Sequence, residues 1–178
     1  MNWSITQIMD CSAEELAACY KGLSPSRKAH MDRFRNEQAR YQSLAGELTL
    51  RRLLAQLGIE DTIVRLPSGQ PVLENGTAFI SIAHCEDYAV CAVSPRPVGI
   101  DIERIRPVKP GMAERICTVE ELSYVQADET RFFEVWTGKE AYFKMKGTGI
   151  TNFQSVNTLS LQGQIFRQDD YLIRIVTE

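Results

Sequence analysis

Three carboxylates and one lysine stand where a charge is hard to leave unpaired. The stretch Phe132–Gly147 reads as a helix, and at about 100° per residue Phe132, Trp136 and Phe143 fall within about 40° of one another. Glu140 lies about 40° further round and is flanked by Phe133, so the apolar face carries a carboxylate. A carboxylate buried without a partner takes up a proton, so Glu140 requires a cation or strong donors. Lys144, four residues on, reaches the same edge of that face. Upstream, apolar and acidic residues alternate from Val98 to Glu103. In a strand this puts Ile100 and Ile102 on one face and Asp101 and Glu103 on the other. The two acids repel unless something positive sits between them. Arg104 and Arg106 could supply countercharge to a merely solvated face. Taken with Glu140, however, Asp101 and Glu103 make three hard oxygen ligands on two rigid elements. That set suits Mg²⁺, commonly held by a few carboxylates with waters and substrate phosphates, so the metal implies a phosphorylated substrate.

The elements that must position these groups can be read in order. Ser12-Ala13-Glu14-Glu15 is a capping box that opens a short helix closed by Gly22. Ser24-Pro25 supplies a cap and a first-turn proline for a second helix. From Lys21 to Arg52 there are eight Lys or Arg against Asp32, Glu37 and Glu47, a local balance of +5 in an otherwise acidic chain, which points to an anion. Arg27, His30 and Arg33 recur every three residues, along one side of the helix, and could bracket a phosphate. The bland reading of that side is a solvated basic face. A third helix is expected from about Asn36 to Leu57, with Gly58 just past its end. Gly46 in its middle disfavours helix and suggests close packing or a close ligand. Strands are expected near Thr62–Leu66, Ala78–Ala83 and Tyr88–Ser94, with His84 at the mouth of the hairpin between the last two. Arg96-Pro97 reads as a seam, dividing the chain into halves 1–97 and 98–178. The second half begins with the Asp101/Glu103 strand and continues with helices near Met112–Gln126 and Arg131–Lys146. Strands near Val156–Leu161, Gln164–Arg167 and Tyr171–Val176 end it. The expectation is α+β, each half with helices against a small antiparallel sheet.

Composition bounds the function. The chain has 178 residues, 44% hydrophobic and 24% charged, enough for one large domain or two small packed units. A net charge of −3 argues against generic nucleic-acid binding. No basic run precedes an apolar block at the N-terminus and no stretch approaches a membrane span, so no membrane partner and a cytoplasmic location are expected. The five cysteines (Cys11, Cys19, Cys85, Cys91 and Cys117) include no C-x-x-C pair, so neither a zinc site nor a disulfide framework is indicated.

Two blocks, Gly99-Ile100-Asp101-Ile102-Glu103 and Trp136-x-x-Lys139-Glu140-Ala141-x-x-Lys144-x-x-Gly147-x-Gly149, resemble the 4′-phosphopantetheinyl transferases of the type that activates the surfactin synthetase. Weaker similarity covers Ser24-Pro25, Leu44-Ala45-Gly46-Glu47, Ser68-Gly69-Gln70-Pro71 and Ile80-Ser81-Ile82-Ala83-His84. The resemblance implies transfer of the phosphopantetheine arm of coenzyme A to a serine of an acyl, peptidyl or polyketide carrier protein. It also implies a pseudo-twofold pair of halves with the active site between them. Carried over residue by residue, Arg27, His30, Ser43, Ala83, His84, Asp101 and Lys144 would contact coenzyme A. Asp101, Glu103 and Glu140 would hold Mg²⁺. Glu140 or Glu121 would take the serine proton, and Lys144 would protonate the leaving 3′,5′-ADP. The sequence departs from the family in having His30 for a common lysine, Ala83 for a serine, and Gln70 for the lysine of Gly-Lys-Pro. With both halves of the site in one chain, a monomer suffices. A Mg²⁺-dependent nucleotide pyrophosphate hydrolase and a non-catalytic coenzyme A-binding protein remain as alternatives, with Lys139 and Lys144 on one helix favouring transfer.

Overall fold

The computed structural model describes residues 1–150 and 152–178, and it is α+β. Strand β1 (Asn2–Gln7) leads into helices α1 (Ala13–Lys21), α2 (Pro25–Met31) and α3 (Glu37–Gln56), then a small ladder of β2 (Ile63–Arg65) and β3 (Pro71–Leu73), then the hairpin β4 (Phe79–Cys85) and β5 (Tyr88–Ser94). The second half repeats the order: strand β6 (Val98–Arg104), helices α4 (Met112–Ile116), α5 (Val119–Val125) and α6 (Glu129–Lys146), and the hairpin β7 (Gly163–Gln168) and β8 (Tyr171–Thr177). Both three-stranded sheets are antiparallel, β1-β5-β4 and β6-β8-β7, so each half pairs its first strand with the last strand of its hairpin.

Strand periodicity explains the layering. Val90, Ala92 and Ala83 from one sheet and Val98, Ile100, Ile102, Ile173 and Ile175 from the other form a single apolar cluster between the two. The opposite faces receive the long helices. Ile80, Cys91 and Val93 pack on Leu50, Leu53 and Leu54 of α3. On the far side, Gly99 lies so close to α6 that a Cβ there would stand 1.8 Å from the Ala141 carbonyl oxygen. Between the sheets the Ile100 N–H donates to Ser81 Oγ at 3.1 Å, in a buried position. The β4/β6 seam thus forms a floor, with α3 and the β2–β3 ladder on one side and α6 on the other.

Several boundaries differ from expectation for local reasons. The single helix expected over Met112–Gln126 is two, because Thr118 stops the first and caps the second through a reciprocal bond with Glu121. The strand expected near Val156–Leu161 is a 3₁₀ turn, Thr158–Ser160, capped by Asn157. Its backbone is drawn into the core instead of a ladder: Lys139 Nζ donates to the Phe153 and Val156 carbonyls, and the Thr158 N–H to Glu121. Strands β1 and β3 were not anticipated, β1 because Trp3 and Ile5 alternate with polar residues over only one short run.

Candidate active site between the halves

A cleft of about 570 Å³ opens above the β4/β6 seam, lined by Arg65 and Gln70 on one wall, Ser81 on the floor, and Glu140, Phe143 and Lys144 on the other. Asp101 projects from β6 toward α6, 5% exposed. Its Oδ1 accepts from Lys144 Nζ at 2.6 Å, while Oδ2 is buried with no hydrogen-bond partner among the described residues. Burial pushes the Asp101 carboxyl up to about 7, against the pull of Lys144 and with added repulsion from Glu140 and Glu103. Glu140 is likewise raised, first by burial, with Lys144 opposing and Glu103 adding. Glu103 differs: Trp136 Nε1–H donates to its Oε1 and Arg106 to its Oε2, both at 3.1 Å. Both its oxygens are therefore occupied. Among the described residues no three His, Cys, Asp or Glu side chains already stand together as a metal-binding group.

The test for a divalent cation is therefore the donor chemistry. An orphaned carboxylate oxygen on Asp101 and a partly buried Glu140, each raised chiefly by burial with Lys144 opposing, form a hard-oxygen pair that a cation could bridge. These two fit Mg²⁺ with its remaining positions filled by water and phosphate oxygens. Glu103 would join once its Oε2 is freed from Arg106.

The opposite wall carries excess positive charge. Arg27 on α2 is 6% exposed; its Nη2 donates to Ser43 Oγ at 2.8 Å, and its Nε lies 3.5 Å from Glu47 Oε2, an ion-pair contact without a closed hydrogen bond. Arg27 and Ser43, both implied as coenzyme A contacts, are thus bonded to each other. Helix α2 ends at Met31, so Arg33 lies beyond it and the expected helical row of three is two residues long. His30 is exposed, its ring edge-on to Phe34, and desolvation followed by the charges of Arg27, Arg65 and Arg33 lowers its pKa. His84 is exposed at the end of β4 and its ring lies beside Gly46 of α3. Desolvation and then the charges of Lys144, Arg27 and Arg65 bring it down to about 4, so it is neutral at pH 7. Ala83 is buried in the inter-sheet core, 5% exposed, and offers the cleft only its backbone.

Two expected chemical roles do not survive. Glu121 is fully buried: Oε1 accepts from the Thr158 N–H and hydroxyl, and Oε2 from the Thr118 N–H and Lys139 Nζ at 2.6 Å. It has no free lone pair facing the cleft, so it is no base. Lys139, equally buried and spent on Glu121 and two carbonyls, anchors the 3₁₀ turn and says nothing about transfer chemistry. Conversely, Glu47, Arg65 and Gln70 matter more than their sequence context suggested. Gln70 Nε2 donates across the cleft to the Lys144 carbonyl at 3.0 Å. The available signal for Glu47 was its spacing of four from Arg51, and for Arg65 a lone charge ending an apolar strand.

Fold and cleft together define an α+β protein whose two repeated halves face each other with opposite charge. Residues 97–172 match the model of the 4′-phosphopantetheinyl transferase superfamily. Among curated relatives, the 4′-phosphopantetheinyl transferase gsp of Aneurinibacillus migulanus is 38% identical over 127 residues, covering 66% of this chain and 53% of the relative. The 4′-phosphopantetheinyl transferase HetI of a Nostoc species is 33% identical over 160 residues, 80% of this chain and 66% of the relative. Sfp of Bacillus subtilis is 27% identical over 150 residues, 79% and 67%. The chain belongs to the 4′-phosphopantetheinyl transferase superfamily. It spans about half to two thirds of the length of these relatives.

Proposed function

We propose that the protein transfers the 4′-phosphopantetheine moiety of coenzyme A to a serine of an acyl, peptidyl or polyketide carrier protein, releasing 3′,5′-ADP. The observation that carries this reading is the buried Asp101 with an unpartnered Oδ2, ion-paired to Lys144 and repelled by Glu140, the last two lining a cleft whose other wall carries Arg65. A pyrophosphate bridges walls of this kind: its oxygens need cations on one side and, with Mg²⁺, carboxylates on the other. Arg27, His30, Ser43, the Ala83 backbone and His84 would hold the nucleotide end. Asp101 and Glu140, with Glu103, would hold Mg²⁺, which when bound polarises the phosphoryl oxygens and offsets charge on the leaving group.

The chain's own residues then supply the rest. Glu140, its carboxyl raised by burial, accepts the serine hydroxyl proton as the serine oxygen bonds to phosphorus. Lys144 donates a proton to the bridging oxygen as the P–O bond to 3′,5′-ADP breaks. Gln70 fixes the last turn of α6 through the Lys144 carbonyl and so positions that ammonium group. Residues 1–97 would act as the binding half and 98–178 as the reacting half of one monomer. Among the described residues no helix is long and apolar enough to cross a membrane; we place the reaction in the cytoplasm, where carrier proteins and coenzyme A would meet it. Mass spectrometry of an apo carrier protein incubated with this chain, coenzyme A and Mg²⁺ tests the reading. A gain of the phosphopantetheine mass is expected; release of 3′,5′-ADP without that gain means hydrolysis and overturns it.

A further inference from the structure

Of the three carboxylates assigned to Mg²⁺, Glu103 alone is hydrogen-bonded on both oxygens, and the two bonds differ in kind. Oε1 accepts from Trp136 Nε1–H at 3.1 Å, a neutral donor fixed on the long helix α6. Oε2 accepts from Arg106 Nη1, also at 3.1 Å, a cation two residues past the end of β6 whose side chain is half exposed. The Cys85 thiol approaches the same oxygen at 3.7 Å, but a thiol is a weak and neutral donor, so the charge of Oε2 is answered by Arg106. The nearby Arg104 is turned away to Glu86, at 2.9 Å.

Arg106 also has a place to stand without Glu103. The same Nη1 donates to the Arg104 carbonyl at 2.9 Å, and the guanidinium lies over the Phe133 ring, 5.1 Å from its centroid. Only the contact with Oε2 has to open for a metal to reach that oxygen. Half-exposed ion pairs are weak, so a divalent ion readily offsets the loss, while the indole bond to Oε1 keeps the carboxylate aimed.

We infer that Arg106 is an internal counter-ion of Glu103 that gives way to the divalent cation, an autoinhibitory contact that sets the metal affinity of the site and takes no part in the transfer. This rests on the proposed function, which assigns Glu103 to Mg²⁺, and it gives a role to a residue outside both α6 and the basic helix. One cation is exchanged for another on Oε2, and the freed guanidinium stays on the Arg104 carbonyl and the Phe133 ring. Trp136 is the positioning residue of that exchange.

Binding of Mn²⁺ without coenzyme A or carrier protein, with the free ion measured by electron paramagnetic resonance, isolates this step from turnover. Carboxylate sites that suit Mg²⁺ also suit Mn²⁺. Arg106→Gln should bind Mn²⁺ about twofold to fivefold more tightly than the parent, the scale of an exposed ion pair. Its melting temperature should match the parent's, since Arg106 is half exposed. Arg104→Gln removes an equal charge close by without touching Glu103, and should leave the affinity nearly unchanged. Tryptophan fluorescence, reporting through the Trp136 bond to Glu103, should saturate over the same Mn²⁺ range. An unchanged or weaker affinity in Arg106→Gln, or an equal gain in Arg104→Gln, overturns the inference and leaves the Mg²⁺ assignment standing. Absence of saturable Mn²⁺ binding in all three proteins, with coenzyme A added as well as without it, overturns the metal assignment of the proposed function, and this inference with it.

Discussion

The two halves fold to one plan and use it for opposite electrostatics. Each places a long helix across a sheet of the same strand order, and each helix meets its surroundings through a mid-helix glycine: Gly46 against Ile82 in α3, Gly138 against Thr158 in α6. In the N-terminal half the buried carboxylate, Glu47, is outnumbered by arginines. In the C-terminal half two buried acids share the work differently. Glu121 is saturated by Lys139, Thr118 and Thr158, whereas Asp101 retains a bare oxygen and shares Lys144 with Glu140. Burying an ion pair without full hydrogen bonding is costly, so a fold keeps such defects only where something else compensates. The saturated pair is architecture, and the two unsaturated clusters, surplus cations on one side and surplus carboxylates on the other, are where the proposed ligand would bind.

That contrast can be broken experimentally. The largest effect is expected at Asp101: Asp101→Ala should abolish Mg²⁺-dependent transfer, while the melting temperature of the metal-free protein holds or rises, because a poorly compensated buried carboxylate is gone. Near-normal turnover would remove Asp101 from the chemistry. Lys139→Met should do the reverse of a catalytic lesion. It strands Glu121 in the core and should cost about 3–5 kcal/mol in urea unfolding, whereas Lys144→Met removes the donor to Asp101, which burial already disposes to take up a proton, and should cost less than Lys139→Met while suppressing turnover. Similar stability losses in both would dissolve the distinction between anchoring and reactive lysines.

Backbone proximity gives a smaller, graded comparison. Gly99→Ala drives a Cβ into the Ala141 carbonyl of α6, which cannot yield, and should destabilise by about 1–3 kcal/mol or more. Gly46→Ala meets side chains, Ile82 at 2.7 Å and His84 at 3.9 Å, rather than backbone, and should cost less. The smallest effect concerns His84. Its folded pKa lies below that of an unfolded histidine, so the fold disfavours its charged form; this stabilising contribution is present above about pH 6.5 and is lost as pH falls toward about 4. Melting curves of His84→Gln should therefore fall less steeply than those of the parent across that window. Parallel curves would mean that His84 titrates as an ordinary surface histidine.

Much of this arrangement was legible in residue types. The period-two run from Val98 to Glu103 assigns Asp101 and Glu103 to one face, and the α6 periodicity brings Glu140 and Lys144 to the same edge, as found. What local pattern could not supply was the partner of each charge. Glu121 and Glu140 are both acids on helices of the same half, yet a 3₁₀ turn nearly forty residues downstream neutralises one and leaves the other open to the cleft. Arg65 was invisible for the same reason, since its significance lies in sharing Glu47 with Arg27, a contact made only by the tertiary fold. The repeat between halves is likewise topological: strand order repeats while side chains do not, so no self-similarity shows along the chain.

The division of labour between the walls is tested most directly by measuring Glu140→Gln in two ways on one preparation, steady-state transfer to an apo carrier protein and calorimetric binding of coenzyme A. The substitution keeps the shape and removes the charge. Turnover should fall at least about 100-fold, the lower range for loss of a general base, while coenzyme A still binds through the arginine wall. A variant that transfers at the parental rate, or one that loses coenzyme A binding in step with turnover, would contradict it.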